Sequence, residues 1–244
     1  MRAWLMVLYS VAAYGFFLVT FACTAAFVGG FGFVKNIESG PVTTVAHAIA
    51  VDLMLLAVFV VQHSVMARRG FKRWWTRIVP EPIERSTFVL AATGALAFLI
   101  WQWRPIPDPV IWHASSAFLV MLLWALFASG WAVALVSTFL IDHFELFGLR
   151  QAFAVATGRT VPPAEFRTPF LYRMVRHPLY LGLLIAFWAT PHMSAGHLLF
   201  SLGTTAYIFL GMFFEERDLV AQFGARYHAY RDRVAMIVPF MGKQ

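Results

Sequence analysis

Residues 113–140, HASSAFLVMLLWALFASGWAVALVSTFL, contain no Asp, Glu, Lys or Arg. A helix needs about 20 predominantly apolar residues to cross the hydrocarbon of a bilayer, so this stretch reads as a membrane span. Working outward, residues 5–33, 43–66, 86–103, 170–190 and 195–214 qualify as well. The 170–190 segment is the weakest, with only about a dozen apolar residues between Pro178 and Pro191. Its cytoplasmic end is expected to project beyond the lipid or to line a cavity. The short link over 190–196 predicts an antiparallel hairpin with the last span. The stretch 5–33 exceeds the about 7–15 residues of a signal-peptide core and is expected to be a retained span.

The composition agrees. The 244 residues are 60% hydrophobic, 17% aromatic and 13% charged, against about 45–50% apolar and about 25% charged in an ordinary soluble domain. A soluble fold of this length must still cover its surface with polar groups, and such a chain is far too apolar to be disordered. The expected fold class is all-α, a polytopic membrane helix bundle of five to six transmembrane helices. It forms one integral domain over 1–244, with a four-helix part over 1–140 and a second part over 141–244. Cys23 lies alone in an apolar run, so it is read as packing; no intrachain disulfide and no paired-cysteine metal pattern is possible.

The formal net charge of +7 is unevenly placed. Residues 67–85 carry Arg68, Arg69, Lys72, Arg73, Arg77 and Arg85; residues 141–177 carry Arg150, Arg159, Arg167, Arg173 and Arg176. Arg217, Arg226, Arg231, Arg233 and Lys243 follow in the tail, and Arg2 stands at the N-terminus. With six alternating spans, 17 of the 19 basic residues fall on one side, leaving Lys35 and Arg104 on the other. The positive-inside rule then makes both termini cytoplasmic. Basic residues confined to short loops argue against a nucleic-acid partner and suggest topology or an anionic ligand.

The polar chemistry concentrates on that same side. In Arg176-His177-Pro178-Leu179-Tyr180-Leu181-Gly182, proline suits the first turn of a helix. The open N–H groups there, beside two cationic residues, suit a carboxylate; the alternative is a helix start with interfacial anchors. Glu215-Glu216 end the last span, where acids oppose the helix dipole. Such a pair can hold a cation or the hydroxyls of a ribose, or can simply be a solvated helix end pairing with Arg217 or nearby arginines. Phe223-Gly224-Ala225-Arg226-Tyr227-His228-Ala229-Tyr230-Arg231 reads as an amphipathic helix whose aromatic face can cover a flat ring or merely pack.

Together, Arg-His-Pro-x-Tyr-x-Gly, a hydrophobic hairpin, Glu-Glu and Phe-Gly-x-x-Tyr-x-x-Tyr resemble the C-terminal half of the isoprenylcysteine carboxyl and phospholipid methyltransferase group, over about residues 172–239. The resemblance implies S-adenosylmethionine as cofactor, held in a cytoplasmic site over 141–244 that a C-terminal helix closes. Carried over, Arg176, His177, Pro178, Tyr180, Gly182, Glu215, Glu216, Tyr227 and Arg231 become cofactor contacts.

The N-terminal half is similar to the bacterial methanethiol S-methyltransferase family at Asp52, at Gln62-His63-Ser64-x-Met66-Ala67-Arg68, at 80–85 and at 142–151. Membrane proteins tied to nitrogen-oxide metabolism and to carotene isomerisation share part of the Gln-His-Ser region. This likeness implies methylation of a small volatile thiol, methanethiol, to dimethyl sulfide. It also implies a multi-pass protein of a bacterial inner membrane, with the bilayer as its surroundings and no protein partner evident. His63 or His143 would take the thiol proton, Asp142 would orient His143, and Arg176 could instead stabilise the thiolate.

Asp52 is placed near the middle of its span, where a charge costs at least about 2.5–3.5 kcal/mol. Eleven residues separate it from His63, which leaves the two about 20° apart on one helix face. That face, with Phe59 and Gln62 nearby, is expected either to line a substrate cavity or to order the bundle through an interhelical hydrogen bond. His47, His113, His192 and His197 are read as interfacial, and Gly29-Gly30-x-Gly32 is not a nucleotide loop because it opens no βα unit. Two alternatives stand beside methanethiol methylation. One is the same architecture acting on another lipophilic thiol, chalcogenide or lipid. The other is a haem-binding membrane isomerase or accessory protein with His63 as an axial ligand.

Overall fold

The structure, a computed structural model, describes residues 1–162 and 165–239; Lys243, counted above in the basic tail, lies outside them. In chain order it contains α1 (Arg2–Val28), α2 (Val45–Ala67), α3 (Arg69–Trp75), α4 (Glu81–Gln102), β1 (Val110–His113), α5 (Ala117–Ile141), α6 (His143–Leu146), α7 (Leu149–Ala156), a 3₁₀ turn (Phe170–Arg173), α8 (Pro178–Trp188), β2 (His192–Ser194), α9 (Ala195–Phe223) and α10 (Ala225–Arg233). Helices α1, α2, α4, α5 and α9 are long and apolar enough to span a membrane. The all-α, multi-pass class holds.

The sixth expected span is different. Residues 170–190 divide into the 3₁₀ turn and an α8 of 11 residues, about 16 Å long against a hydrocarbon core of about 30 Å. Pro178 starts α8 because it needs no N–H acceptor at the first helical position, and Pro191 lies just past its end. The last span, by contrast, runs beyond residue 214 to Phe223.

Two compact units share the chain. The first comprises Met1–Pro109, Asp142–Pro163 and Ser194–His197. Within it α1 packs on α4 and α7, and α2 packs on α4. Its polarity is that of a membrane protein: Ser10, Thr20 and Thr24 of α1 are buried while Leu5, Leu8 and Val19 are exposed. Ser86 Oγ donates to Ser10 Oγ at 2.8 Å, a hydrogen bond between helices of the kind that joins them where apolar burial gives no drive. Gly148 takes a left-handed φ of +82°, and a Cβ there would lie 2.6 Å from Ser86 N, so only glycine lets the chain pass α4.

The second unit comprises Val110–Ile141, Ala164–Met193 and Leu198–Gln244. Helix α5 packs on α8 through Gly130 and Ala134 against Gly182 and Ala186. A Cβ on Gly182 would fall 2.5 Å from Gly130 O and Ala134 N, which is small-residue packing of backbone on backbone. The expected α8–α9 hairpin is present. Trp188 Nε1 donates to Thr205 Oγ1 at 2.9 Å, and Ser201 Oγ donates to Phe187 O at 2.9 Å.

Candidate functional site

The second unit gathers most of the expected cofactor contacts. His177 caps α8, and its backbone N–H and that of Arg176 donate to Met236 O and Ala235 O at 3.2 and 2.8 Å. The segment after α10 is thereby stitched to the start of α8, with Val175 bridged to Ala235. The first helical bond of α8 runs from Leu181 N to His177 O, so the N–H groups of Leu179 and Tyr180 precede the ladder, as at any helix start.

Arg176, with a side chain only 9% exposed, is committed. Its Nε donates to Glu216 Oε1 at 2.7 Å, and its Nη1 donates to Val234 O at 2.6 Å and Arg231 O at 3.1 Å. One guanidinium thus ties together α8, α9 and the end of α10. His177 Nε2 meets the same Glu216 Oε1 at 3.2 Å. The acidic pair therefore has two fates. Glu216 is enclosed by Arg176 and His177, whereas Glu215, 3.8 Å from His177 Nδ1, has a side chain that is 45% exposed and is the more open carboxylate of the two.

Aromatic residues of α10 complete the cluster. Tyr230 donates to Tyr172 O at 2.5 Å, and Tyr172 donates to Ser137 O at 3.3 Å. Phe166 stands against Phe223, Tyr227 and Tyr230 with ring centroids 5.3, 6.0 and 5.4 Å away. Burial raises the Tyr230 phenol to about 12 and raises that of Tyr227 too. The Tyr227 side chain is buried, yet its hydroxyl makes no hydrogen bond among the described residues. A buried polar atom left unpaired costs free energy, and this one lies within the electrostatic reach of Glu216, Arg176 and Glu215.

Two expected contacts have other tasks. Gly182 faces α5, where its missing side chain admits that helix. Arg231 is exposed, and what it brings to the cluster is its carbonyl, through Arg176.

Apart from Arg176, the expected catalytic and substrate residues lie in the first unit. Asp52 is the eighth residue of α2, nearer its start than its middle. Fully buried, it accepts from Arg104 N at 2.9 Å through Oδ1. Lys35 donates to Trp101 O and Trp103 O at 2.5 and 3.0 Å, placing a cation at the C-terminus of α4. Asp52 thus sits among loop and helix-end groups. His63, about 16 Å further along α2, packs between Phe59 and Phe88 with centroids 5.6 and 5.0 Å away. Gln62 donates to Met66 Sδ at 3.1 Å.

Asp142 does not orient His143. Its carboxylate accepts from Glu145 N at 3.0 Å as the cap of α6 and pairs with Arg150, because adjacent residues point different ways. The partner of His143 is Tyr14, whose hydroxyl shares a 2.7 Å hydrogen bond with Nε2. Sequence reasoning missed Tyr14, although a hydroxyl in an apolar span must find a partner. Burial lowers the pKa of His143. A groove of about 450 Å³ opens beside the pair, lined by Tyr14, Val11, Phe144, Leu149 and Phe153 with Asp142 and Arg150.

Comparison with known proteins fits these arrangements to a family. A profile described as NnrU protein matches residues 53–239. Methanethiol S-methyltransferase of Mycobacterium tuberculosis is 50% identical over 98% of both chains. The chain belongs to the methanethiol S-methyltransferase family. Another family member, methanethiol S-methyltransferase 2 of Bradyrhizobium diazoefficiens, is 51% identical over 96% of this chain and 90% of its own. The similarity extends outside the family to nurim of Sus scrofa, 32% identical over 70% of this chain and 68% of its own. No solved structure matches.

Proposed function

We propose that this protein methylates methanethiol to dimethyl sulfide with S-adenosylmethionine as the methyl donor. The observation that carries the reading is full-length identity of about half to enzymes of that name, and the chemistry of the second unit supports the choice of donor. That cofactor presents a carboxylate, an ammonium, a ribose and a flat base. The residues fit those demands: the open N–H groups of α8, the half-exposed Glu215, and the buried Tyr227 hydroxyl that makes no hydrogen bond. Bound there, the cofactor would supply an electrophilic methyl on a sulfonium for a deprotonated thiol sulfur.

Glu215 binds a hydroxyl or ammonium of the donor; Arg176 and Glu216 position the backbone around it; Tyr227 contributes a phenol from α10. An alkyl thiol, with a pKa no lower than the about 8.5 of cysteine, must lose its proton to react. His143 is the base we favour of the two histidines, because its Nε2 already exchanges a hydrogen bond of 2.7 Å with the Tyr14 hydroxyl and burial lowers its pKa. Because β2 pairs with β1, α8 returns the chain to the end at which α5 begins, so the bias of basic residues still supports both termini being cytoplasmic; the bacterial relatives support an inner-membrane protein.

Purified protein in detergent, given methyl-labelled donor and methanethiol, should release labelled dimethyl sulfide into the headspace. Absence of that product at saturating substrates refutes the proposal.

A further inference from the structure

His113 closes β1 and His192 opens β2, the two strands of the small sheet. Their Nδ1 atoms face one another at 3.4 Å, with ring planes at 71°. The backbone around them is pinned: Ala114 N donates to Pro191 O at 2.8 Å, and Trp112 Nε1 donates to Thr190 O at 2.9 Å. The Thr190 hydroxyl donates to His192 O at 2.8 Å and accepts from His192 N at 3.3 Å. His113 is exposed and His192 half-buried, so the gap between the rings is open to solvent.

A nitrogen donor to a first-row acceptor normally sits at about 2.7–3.2 Å, so 3.4 Å is long for a hydrogen bond between the rings. It suits a different arrangement. Two imidazole nitrogens each about 2.0–2.1 Å from a tetrahedral Zn²⁺ stand about 3.3–3.4 Å apart. The pinned strands already hold the two Nδ1 atoms at that spacing.

We propose that His113 and His192 form a two-histidine site for a borderline divalent transition-metal ion, Zn²⁺, Cu²⁺ or Ni²⁺, bound through Nδ1 of both rings. Imidazole suits those ions and not Mg²⁺ or Ca²⁺, which select oxygen. Each ring then carries its proton on Nε2, and water completes the shell. Among the described residues no group of three or more His, Cys, Asp or Glu side chains is placed to hold a metal ion, so the protein offers the ion these two ligands and binding is exchangeable. It would clamp the strand that leads into α5 to the one that leads from α8 into α9.

The test uses the full chain in detergent micelles. Zn²⁺ is expected to raise the unfolding temperature saturably while Mg²⁺ does not, and His113→Ala and His192→Ala are each expected to weaken Zn²⁺ binding more than about tenfold. Cu²⁺ bound to the parent protein should show two equivalent nitrogens in its electron paramagnetic resonance spectrum, a readout that does not depend on the variants folding. An equal Zn²⁺ effect in the parent and both variants overturns the proposal. So does a Cu²⁺ spectrum with one nitrogen or none.

Discussion

Glu215 and Glu216 are neighbours in sequence with opposite expected behaviour, and replacing each by alanine separates them. Glu216 and Arg176 have side chains only 13% and 9% exposed. Removing one partner of a buried ion pair costs about 3–5 kcal/mol, because the other charge is left uncompensated. Arg176 Nη1 keeps its two carbonyl acceptors in Glu216→Ala, which places the expected loss near about 3 kcal/mol. At about 2–4 °C per kcal/mol for a chain of this size, the melting temperature falls by about 6–12 °C. Glu215 is 45% exposed, so Glu215→Ala should cost under about 1 kcal/mol of stability. Its loss appears in binding instead. A hydrogen bond to a charged group is worth about 1.5–3 kcal/mol, or about 10–150-fold in the affinity for S-adenosylhomocysteine.

Thermal unfolding followed by tryptophan fluorescence, with and without S-adenosylhomocysteine, reads the first quantity, and titration calorimetry reads the second. Glu216→Gln keeps an acceptor for Arg176 Nε without the charge and should fall between the parent and Glu216→Ala. The reasoning is refuted if Glu216→Ala melts with the parent. It is refuted equally if Glu215→Ala loses more stability than Glu216→Ala while binding normally.

Three further predictions rest on single contacts. Gly182→Ala puts a Cβ 2.5 Å from the backbone of α5 and should destabilise by about 1–3 kcal/mol; an unchanged melting temperature would show that the α5–α8 crossing is looser than described. Tyr227→Phe removes a buried hydroxyl that has no hydrogen bond among the described residues. It should leave unliganded stability unchanged or slightly higher while weakening S-adenosylhomocysteine binding about 2–13-fold, the equivalent of about 0.5–1.5 kcal/mol; a drop in unliganded stability with unchanged binding counts against it. Burial holds His143 below the ordinary imidazole range, so the unfolded chain takes up the proton first as pH falls. The stability its neutral ring contributes is present above about pH 6.5 and declines as pH drops toward the folded-state value. His143→Gln should flatten that part of the melting-temperature profile, and an identical profile would remove His143 as its source.

How much of this could be read in the sequence depends on whether the partner of a group has a residue type. Spans are legible because the bilayer demands a length of apolar side chains, and residues 113–140 meet it without help from any other part of the chain. The ends of helices are less so. Hydropathy stops near residue 214, but the α9 backbone continues through Glu215-Glu216-Arg217-Asp218 to Phe223 and breaks only before Gly224, which has φ +54°. The motif Arg-His-Pro marked a place where polar side chains gather, yet the acceptors of Arg176 include the carbonyls of residues 231 and 234, and a carbonyl carries no side-chain signature. Asp52 is the same case, since its partner is the backbone N–H of Arg104, 52 residues away. A charge in a span announces that it has a partner, not that the partner is a substrate. His113 and His192 show the converse: 79 residues apart, each reads alone as an interfacial histidine, and only the pairing of β1 with β2 turns two side chains into one chelating pair.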